Sequence, residues 1–372
     1  MKKYSSRAET VRNNKIRIAK FISVSGSTSK ADIAAGVGIS MPTTLQYVKE
    51  LTDAGIVTEE GEYESTGGRR AKALSIKRNA GYAVGVDITN NHINFVIIDA
   101  RKDILASERI RKEYKNETQY YDFLLNAESE FAQGQKIDQK KIVGIGFSLP
   151  GIVDKERKLL LRSHALKVQN VSFRTVGDAL GNSYEIENDA NSAAFAEIGN
   201  SVGNAVYLSL SNTVGGAICM EHQMYEGENF KSAEFGHMVI EKGGRQCYCG
   251  KRGCLDAYCS AKLLQTSKGE SLEGFFQKVR MGDSEARLIW EKYLDYLAIA
   301  VTNLRMIFDC RIVLGGYAGG YIKEFMPELT QRIMEYNNFD VDTSYLHAGR
   351  YKYNASAYGA ALRFIDSIFE NI

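Results

Sequence analysis

Residues 233–256 read AEFGHMVIEKGGRQCYCGKRGCLD and place His237, Cys247, Cys249 and Cys254 in one short segment. Imidazole nitrogen and thiolate sulfur are the donors a structural zinc ion gathers in a tetrahedron of four, and C-x-C and C-x4-C spacings let one loop supply three of them. Gly243, Gly244, Gly250 and Gly253 punctuate the run, as backbone wrapped tightly about an ion requires. The alternatives are a disulfide pair or unrelated thiols; the clustering, with a His beside it in a chain of cytosolic character, favours a closed Zn2+ site over both. Such a knuckle would fix Glu234, His237 and Asp256 in space, and polar groups held rigidly together make a candidate ligand site.

The elements that must position these residues occupy a chain of 372 residues, room for two or three domains. With 44% hydrophobic and 25% charged residues, the composition excludes a disordered or fibrous protein. The N-terminus has no apolar signal core, and no segment approaches the ~18 apolar residues of a membrane span, so a cytoplasmic protein without a membrane partner is expected. Net charge is only +2, yet residues 1–78 hold 14 Lys/Arg against 8 Asp/Glu. A basic front end on a mildly acidic body fits a module that meets a polyanion, although a solvated surface would look the same.

The front end carries helix signals. Apolar positions from Val11 to Ile22 predict a helix over 7–25; Ser29 can cap a short second helix ending at Gly38, and Ser40 a third with Pro42 in its first turn. This is a helix-turn-helix order. In the third helix Thr44, Tyr47, Val48 and Leu51 share a stripe that should pack inwards. Met41, Leu45, Gln46 and Lys49, with Ser40 at the start, then face the major groove of double-stranded DNA. The following strand, turn and strand read as a wing, with Arg69 and Arg70 on its glycine-flexed tip or the following strand, suited to phosphates or the minor groove. The alternative is a three-helix interaction module; the full order with wing and paired arginines favours DNA, read by a homo-oligomer on a pseudo-palindromic operator.

From Gly81 the pattern changes. Three antiparallel strands with a turn at Asn90-Asn91, a helix over 118–133, a buried strand over 141–154 and a strand running into a helix at 190 are followed by a second strand set over 205–225. Helices near 272–279, 284–308 and 356–369 flank the strand RIVLGG. The recurrence predicts a duplicated mixed α/β unit with a cleft between two lobes. We expect 1–78 to be a DNA-binding domain, 79–190 a first lobe, and 191–372 a second lobe with the knuckle, its last helix returning to the first.

The motifs SLPGIVD (148–154), IENDANSAAFAE (186–197), EFGHM (234–238), CYCGKRGCLDAYCS (247–260) and IVLGG (312–316), in this order, resemble the ROK family of repressors, open reading frames and sugar kinases. The winged head resembles its repressor branch, so the likeness covers essentially the whole chain. The resemblance implies a two-lobed actin-like ATPase fold, related to ribonuclease H, behind a winged helix-turn-helix. It also implies a sugar site at Asn188, Asp189, Glu234, His237 and Asp256, with His237 serving sugar through one nitrogen and zinc through the other. Asp256 stands where the family usually has Glu.

Kinases of the family hold ATP phosphates on two Gly/Thr-rich turns, whose lack of Cβ atoms lets backbone N–H groups approach oxyanions. Here D-x-G-G-T becomes Asp87-Ile88-Thr89-Asn90-Asn91, and the second turn reads Ser211-Asn212-Thr213-Val214-Gly215-Gly216-Ala217. Phosphoryl transfer rests on positioning and charge stabilisation of those phosphates. The expectation is therefore no catalytic residue, Asp189 surviving as a vestigial base that accepts a hydroxyl. The expected function is a sugar-responsive repressor, a homodimer or homotetramer released from its operator by a carbohydrate or sugar phosphate. An ATP-dependent sugar kinase with an accessory DNA-binding head is the competing reading, and a zinc-stabilised dimerisation scaffold a third. His164 and the other histidines outside the cluster read as surface or structural.

Overall fold

The computed structural model describes residues 7–63, 71–199, 203–265, 271–337 and 339–370. The head comprises α1 (Arg7–Ser25), α2 (Lys30–Val37), α3 (Met41–Asp53), β1 (Val57–Tyr63) and β2 (Ala71–Ile76). Local chemistry sets each boundary: the Ser29 hydroxyl accepts from Asp32 N at 3.1 Å, Gly38 closes α2 at φ 71°, and Ser40 caps α3 by accepting from Thr43 N at 3.4 Å. Thr44, Tyr47, Val48 and Leu51 are buried, as the helical spacing predicts. β1 and β2 pair antiparallel, and Thr28 exchanges backbone bonds with Leu74, adding a bridge to this ribbon.

The body follows as β3 (Tyr82–Ile88), β4 (His92–Asp99), β5 (Ile104–Arg111), α4 (Thr118–Gly134), β6 (Ile142–Leu149), β7 (Ile152–Asp154), β8 (Leu159–Ser163), β9 (Val168–Ser172), α5 (Arg174–Ala179), β10 (Tyr184–Asn188) and α6 (Asp189–Ile198). Its second half holds β11 (Ala205–Leu210), β12 (Val214–Met220), β13 (Gln223–Met224), α7 (Asp256–Cys259), α8 (Leu272–Arg280), α9 (Ser284–Phe308), β14 (Arg311–Gly315), α10 (Gly316–Ile322), α11 (Met326–Tyr336), β15 (Leu346–Ala348), α12 (Ala355–Ile365) and α13 (Ser367–Glu370). The two five-stranded sheets run β10-β6-β3-β4-β5 and β13-β12-β11-β14-β15. In each, three antiparallel strands are followed by two that run parallel to the first. This is the duplicated α/β unit that the strand pattern predicts.

Two local expectations are corrected. The run 141–154 is not one strand: Pro150 and Gly151 break it, with Gly151 at φ 134°, and the chain enters a separate sheet β7-β8-β9. The last helix is likewise split, at Asp366.

α12 lies against the first sheet and α6 together. β3 is buried along its whole length, and Gly85 and Gly146, register partners on β3 and β6, face α12. A Cβ on Gly85 would come within 1.8 Å of Ala357 O, and one on Gly359 within 1.7 Å of Ser192 O. The sheet is thus grooved by missing side chains so that a helix can seat in it. On its far side α12, together with α13, shares one core with the head: Phe364 and Ile365 of α12 and Ile368 and Phe369 of α13 pack in the cluster that contains Ile18, Ile22 and Leu51. Each such apolar side chain, fully buried, contributes roughly 1.5–3 kcal/mol. Arg78 adds ion pairs to buried Asp99 at 2.8 Å and to Asp103 at 2.6 Å, and Arg101 bonds Glu60 and Ser75 of the head at 2.7 and 2.8 Å.

Candidate ligand-binding site

Strand β10 delivers its last residue, Asn188, to the cleft, and α6 begins there. Asn188 is the cap: its Oδ1 accepts from Asn191 N at 3.0 Å and its Nδ2 donates to Gly151 O at 2.8 Å. Asp189 is thereby freed from capping duty and turns into the cleft, one oxygen accepting from Ala190 N at 2.9 Å. Burial, then the neighbouring Asp87 and Glu234 carboxylates, push its acid up to about 7, only partly offset by the Ala190 bond. Asp87, at the end of β3, is pushed up to about 6 by burial, against a hydrogen bond from Ser148 Oγ at 2.8 Å and the charge of Arg109.

A cavity of about 470 Å3 lies between the lobes. Asn188, Asp189, Glu234 and His237 line it together, so four of the five residues expected at a sugar site converge. Glu234 meets solvent through this cavity, yet the surrounding protein raises its carboxyl above the usual range. Asp256 is the exception and a correction: it does not line the cavity. It is buried in the first turn of α7, its Oδ2 accepts from Val214 N at 2.6 Å, and burial pushes its acid up to about 6. A side chain one methylene shorter than the expected Glu is held at the amide of the second altered turn instead of facing the cavity.

Neighbours absent from the sequence-based set complete the wall. His164, after β8, is exposed, as expected of a surface histidine, and meets Tyr248 of the knuckle across the cleft, ring centroids 5.9 Å apart, on the lining of the cavity. Lys155, after β7, pairs with Glu187 at 3.2 Å and with Glu226 of the second lobe, joining the lobes at the rim. Glu187 is buried and also holds Arg363 of α12 at 2.5 Å. His164 sits beside the short sheet β7-β8-β9, whose strands are too brief and too mixed in burial to show a clear period.

The knuckle is compact. Cys247 N donates to Lys251 O at 2.9 Å and Gly250 N to Cys247 O at 3.1 Å. Gly253, at φ 84°, leaves no room for a side chain, since a Cβ would fall 1.8 Å from Glu241 O. His237 Nδ1 lies 3.8 Å from Cys247 Sγ, Cys249 Sγ lies 3.8 Å from Cys254 Sγ, and all four donors fall within 4.8 Å of one another. Donors set 2.0–2.3 Å from one ion would be separated by roughly 3.3–3.8 Å, so the cage is close to that size. The sulfurs are far beyond bonding distance and every cysteine is a free thiol, which removes the disulfide alternative. Burial first, then Lys251 and His164, lower the His237 pKa, favouring the neutral imidazole that metal ligation needs. The four residues can hold a metal ion. His237 Nε2 points the other way, 3.3 Å from the Tyr248 hydroxyl.

In the head, Ser40, Met41, Leu45, Gln46 and Lys49 are all exposed on one face of α3, where the helical stripe puts them. Gln46 Nε2 donates to Glu50 at 2.9 Å. Arg69 and Arg70 lie outside the described residues. At the base of the wing Lys72 pairs with Glu59 at 2.8 Å. Among the described residues no helix is long and apolar enough to cross a membrane.

Known proteins share both halves of this architecture. Residues 12–58 match the winged helix-turn-helix DNA-binding family, and residues 83–366 match the ROK family. The xylose repressor of Bacillus subtilis is 27% identical over 316 residues, 81% of each chain. The N-acetylglucosamine repressor of Escherichia coli is 22% identical over 285 residues, 74% of this chain and 70% of that one. The crystal structure of a ROK family transcriptional regulator, a homologue of the E. coli MLC protein, superposes with a TM-score of 0.75 at 22% identity, covering 97% of both chains. With the ROK match spanning most of its length behind a winged head, the chain belongs to the ROK family.

Proposed function

We propose that this chain is a sugar-responsive DNA-binding repressor in which the exposed face of α3 reads an operator and the cleft between the lobes binds a carbohydrate or sugar phosphate that releases it. The observation carrying this reading is the pairing of an open recognition face with a polar cavity whose second turn is closed against phosphate: the Val214 amide is already taken by Asp256. Asp189 and Glu234 suit sugar hydroxyls, each of which donates and accepts at once. Relatives named for repression by xylose and N-acetylglucosamine support a sugar as effector.

His237, Cys247, Cys249 and Cys254 hold a structural Zn2+, which supplies rigidity and no reaction, since protein ligands fill all four positions. His237 Nε2 then serves the effector. The chain acts in the cytoplasm as a homodimer or homotetramer and is no enzyme, the altered turns leaving Asp189 without phosphates to act upon. Residues 1–78 form the DNA-binding domain, 79–190 the first lobe and 191–372 the second, α12 crossing back to the first.

The test is a titration of candidate sugars against the full-length protein bound to labelled DNA from upstream of its own gene. By linkage, sugar must weaken operator binding by the same factor as operator weakens sugar binding. A sugar that demonstrably binds without changing operator affinity overturns the proposal, and ADP production abolished by Asp189→Ala would support the kinase instead.

A further inference from the structure

A second cavity, of about 380 Å3, opens beyond Asp189 and shares His164, Asp189, Ser209, Thr213 and Tyr248 with the first. Its floor is the two altered turns, which present Thr89, Asn90, Asn91 and Asn212. One wall is aromatic: the rings of Tyr317 and Tyr353 stand 5.4 Å apart, tilted by 48°. The Arg109 guanidinium, which does not line the cavity, sits 5.3 and 5.0 Å from their centroids and fixes them from outside it.

The chemistry selects among occupants. Two backbone amides beside the turns are engaged internally, Val214 N by Asp256 at 2.6 Å and Tyr317 N by Ser211 Oγ at 3.4 Å. Asp87, Asp189, Lys167 and Lys262 share the lining, while the third lining lysine, Lys352, pairs with Glu273 at 3.0 Å. The two carboxyls offset most of the charge of the two ammonium groups, so little positive field remains to hold a polyanion. Amide and hydroxyl side chains that donate and accept, beside a rigid aromatic wall, match a neutral ring with an apolar C–H face and a rim of hydroxyls. Asn212 lines the cavity, and its buried Oδ1 has no hydrogen-bond partner.

We infer that the second cavity takes a further sugar residue of the same ligand, so that the effector is a disaccharide or longer oligosaccharide lying across Asp189 with one ring in each cavity. The inference rests on the first cavity being a sugar site. Tyr317 and Tyr353 stack on the outer ring, and the side chains that replaced glycine in the turns bond its hydroxyls.

Isothermal titration calorimetry on the full-length protein tests it, with D-xylose, D-glucose and N-acetylglucosamine as probes, the β-1,4-linked disaccharide of each, and a non-hydrolysable ATP analogue. At least one disaccharide is expected to bind about tenfold more tightly than its monosaccharide. Tyr353→Ala, at an exposed edge, and Asn90→Ala, in an exposed turn, should each remove most of that gain and leave monosaccharide affinity within about twofold. Equal affinity for every pair, equal losses for both sugars in these variants, or competition between the ATP analogue and the disaccharide would overturn the inference. Monosaccharide binding without a disaccharide gain sinks this inference alone; no binding by any of these sugars or by the phosphates of the three monosaccharides removes the sugar-site reading with it.

Discussion

Asp189→Asn should stabilise the protein in alkali and do so less in acid. The Asp189 carboxyl moves from 3.8 to about 7 on folding, chiefly through burial and then through Asp87. The folded state therefore holds this proton more tightly than the unfolded chain between about pH 4 and 7, and the stability it gives is lost as pH rises through 7. A shift of roughly three units corresponds to about 4 kcal/mol if all of it appears as a cost of the charged form. Solvent enters the cavity on one side of the group, so about half of that, ~2 kcal/mol at pH 8, is expected. Asparagine has the same shape, keeps an oxygen for Ala190 N and carries no charge. Urea unfolding of both proteins at pH 8, 6.5 and 5 should show the variant more stable at pH 8, its advantage falling by more than half by pH 5. A gap independent of pH, or one that widens in acid, would refute the claim that Asp189 is buried beside a second carboxyl.

Three further outcomes follow from other parts of the molecule. Metal analysis should find about one equivalent of zinc per chain, and Cys254→Ser, at a fully buried donor, should lower both the zinc content and the thermal midpoint; a well-folded protein with less than about half an equivalent contradicts the closed site. Lys49→Ala should weaken binding to specific and nonspecific DNA alike and reduce the salt slope by about one, measured by fluorescence anisotropy across salt concentrations. Gly359→Ala should destabilise the body by about 2 kcal/mol or more in urea unfolding, because its methyl group would collide with the Ser192 carbonyl of α6; unchanged stability would show that α12 can move away freely.

Local signals made the head legible: capping serines, Gly38 and the stripe through Thr44, Tyr47, Val48 and Leu51 act within a turn or two of chain. The convergence of Asn188, Asp189, Glu234 and His237 was legible through family motifs and not through spacing, since the motifs lie on different elements. Asp256 shows the limit. Its residue type fitted a sugar, but a single hydrogen bond to Val214 N, set by how α7 packs beside β12, turned it elsewhere. His164 and Tyr248 meet only because two lobes close on each other, and nothing near either residue signals that meeting. A signal for the α12 groove lies in Gly85 of β3 and in Gly144 and Gly146, two apart on β6, whose missing side chains leave the volume that α12 fills.

The shared core of head and α12 carries a consequence for synthesis. The first apolar surface made, around Ile18, Ile22 and Leu51, is completed by Phe364, Ile365, Ile368 and Phe369, which leave the ribosome more than 300 residues later. At 5–20 residues per second the nascent DNA-binding head waits roughly 15–60 s with one flank uncovered. During that interval it is exposed to chaperones, to wrong partners and to its own neighbours on a polysome. The head is accordingly not a detachable cassette, and exchanging it between regulators would carry over an apolar face cut to fit a different final helix.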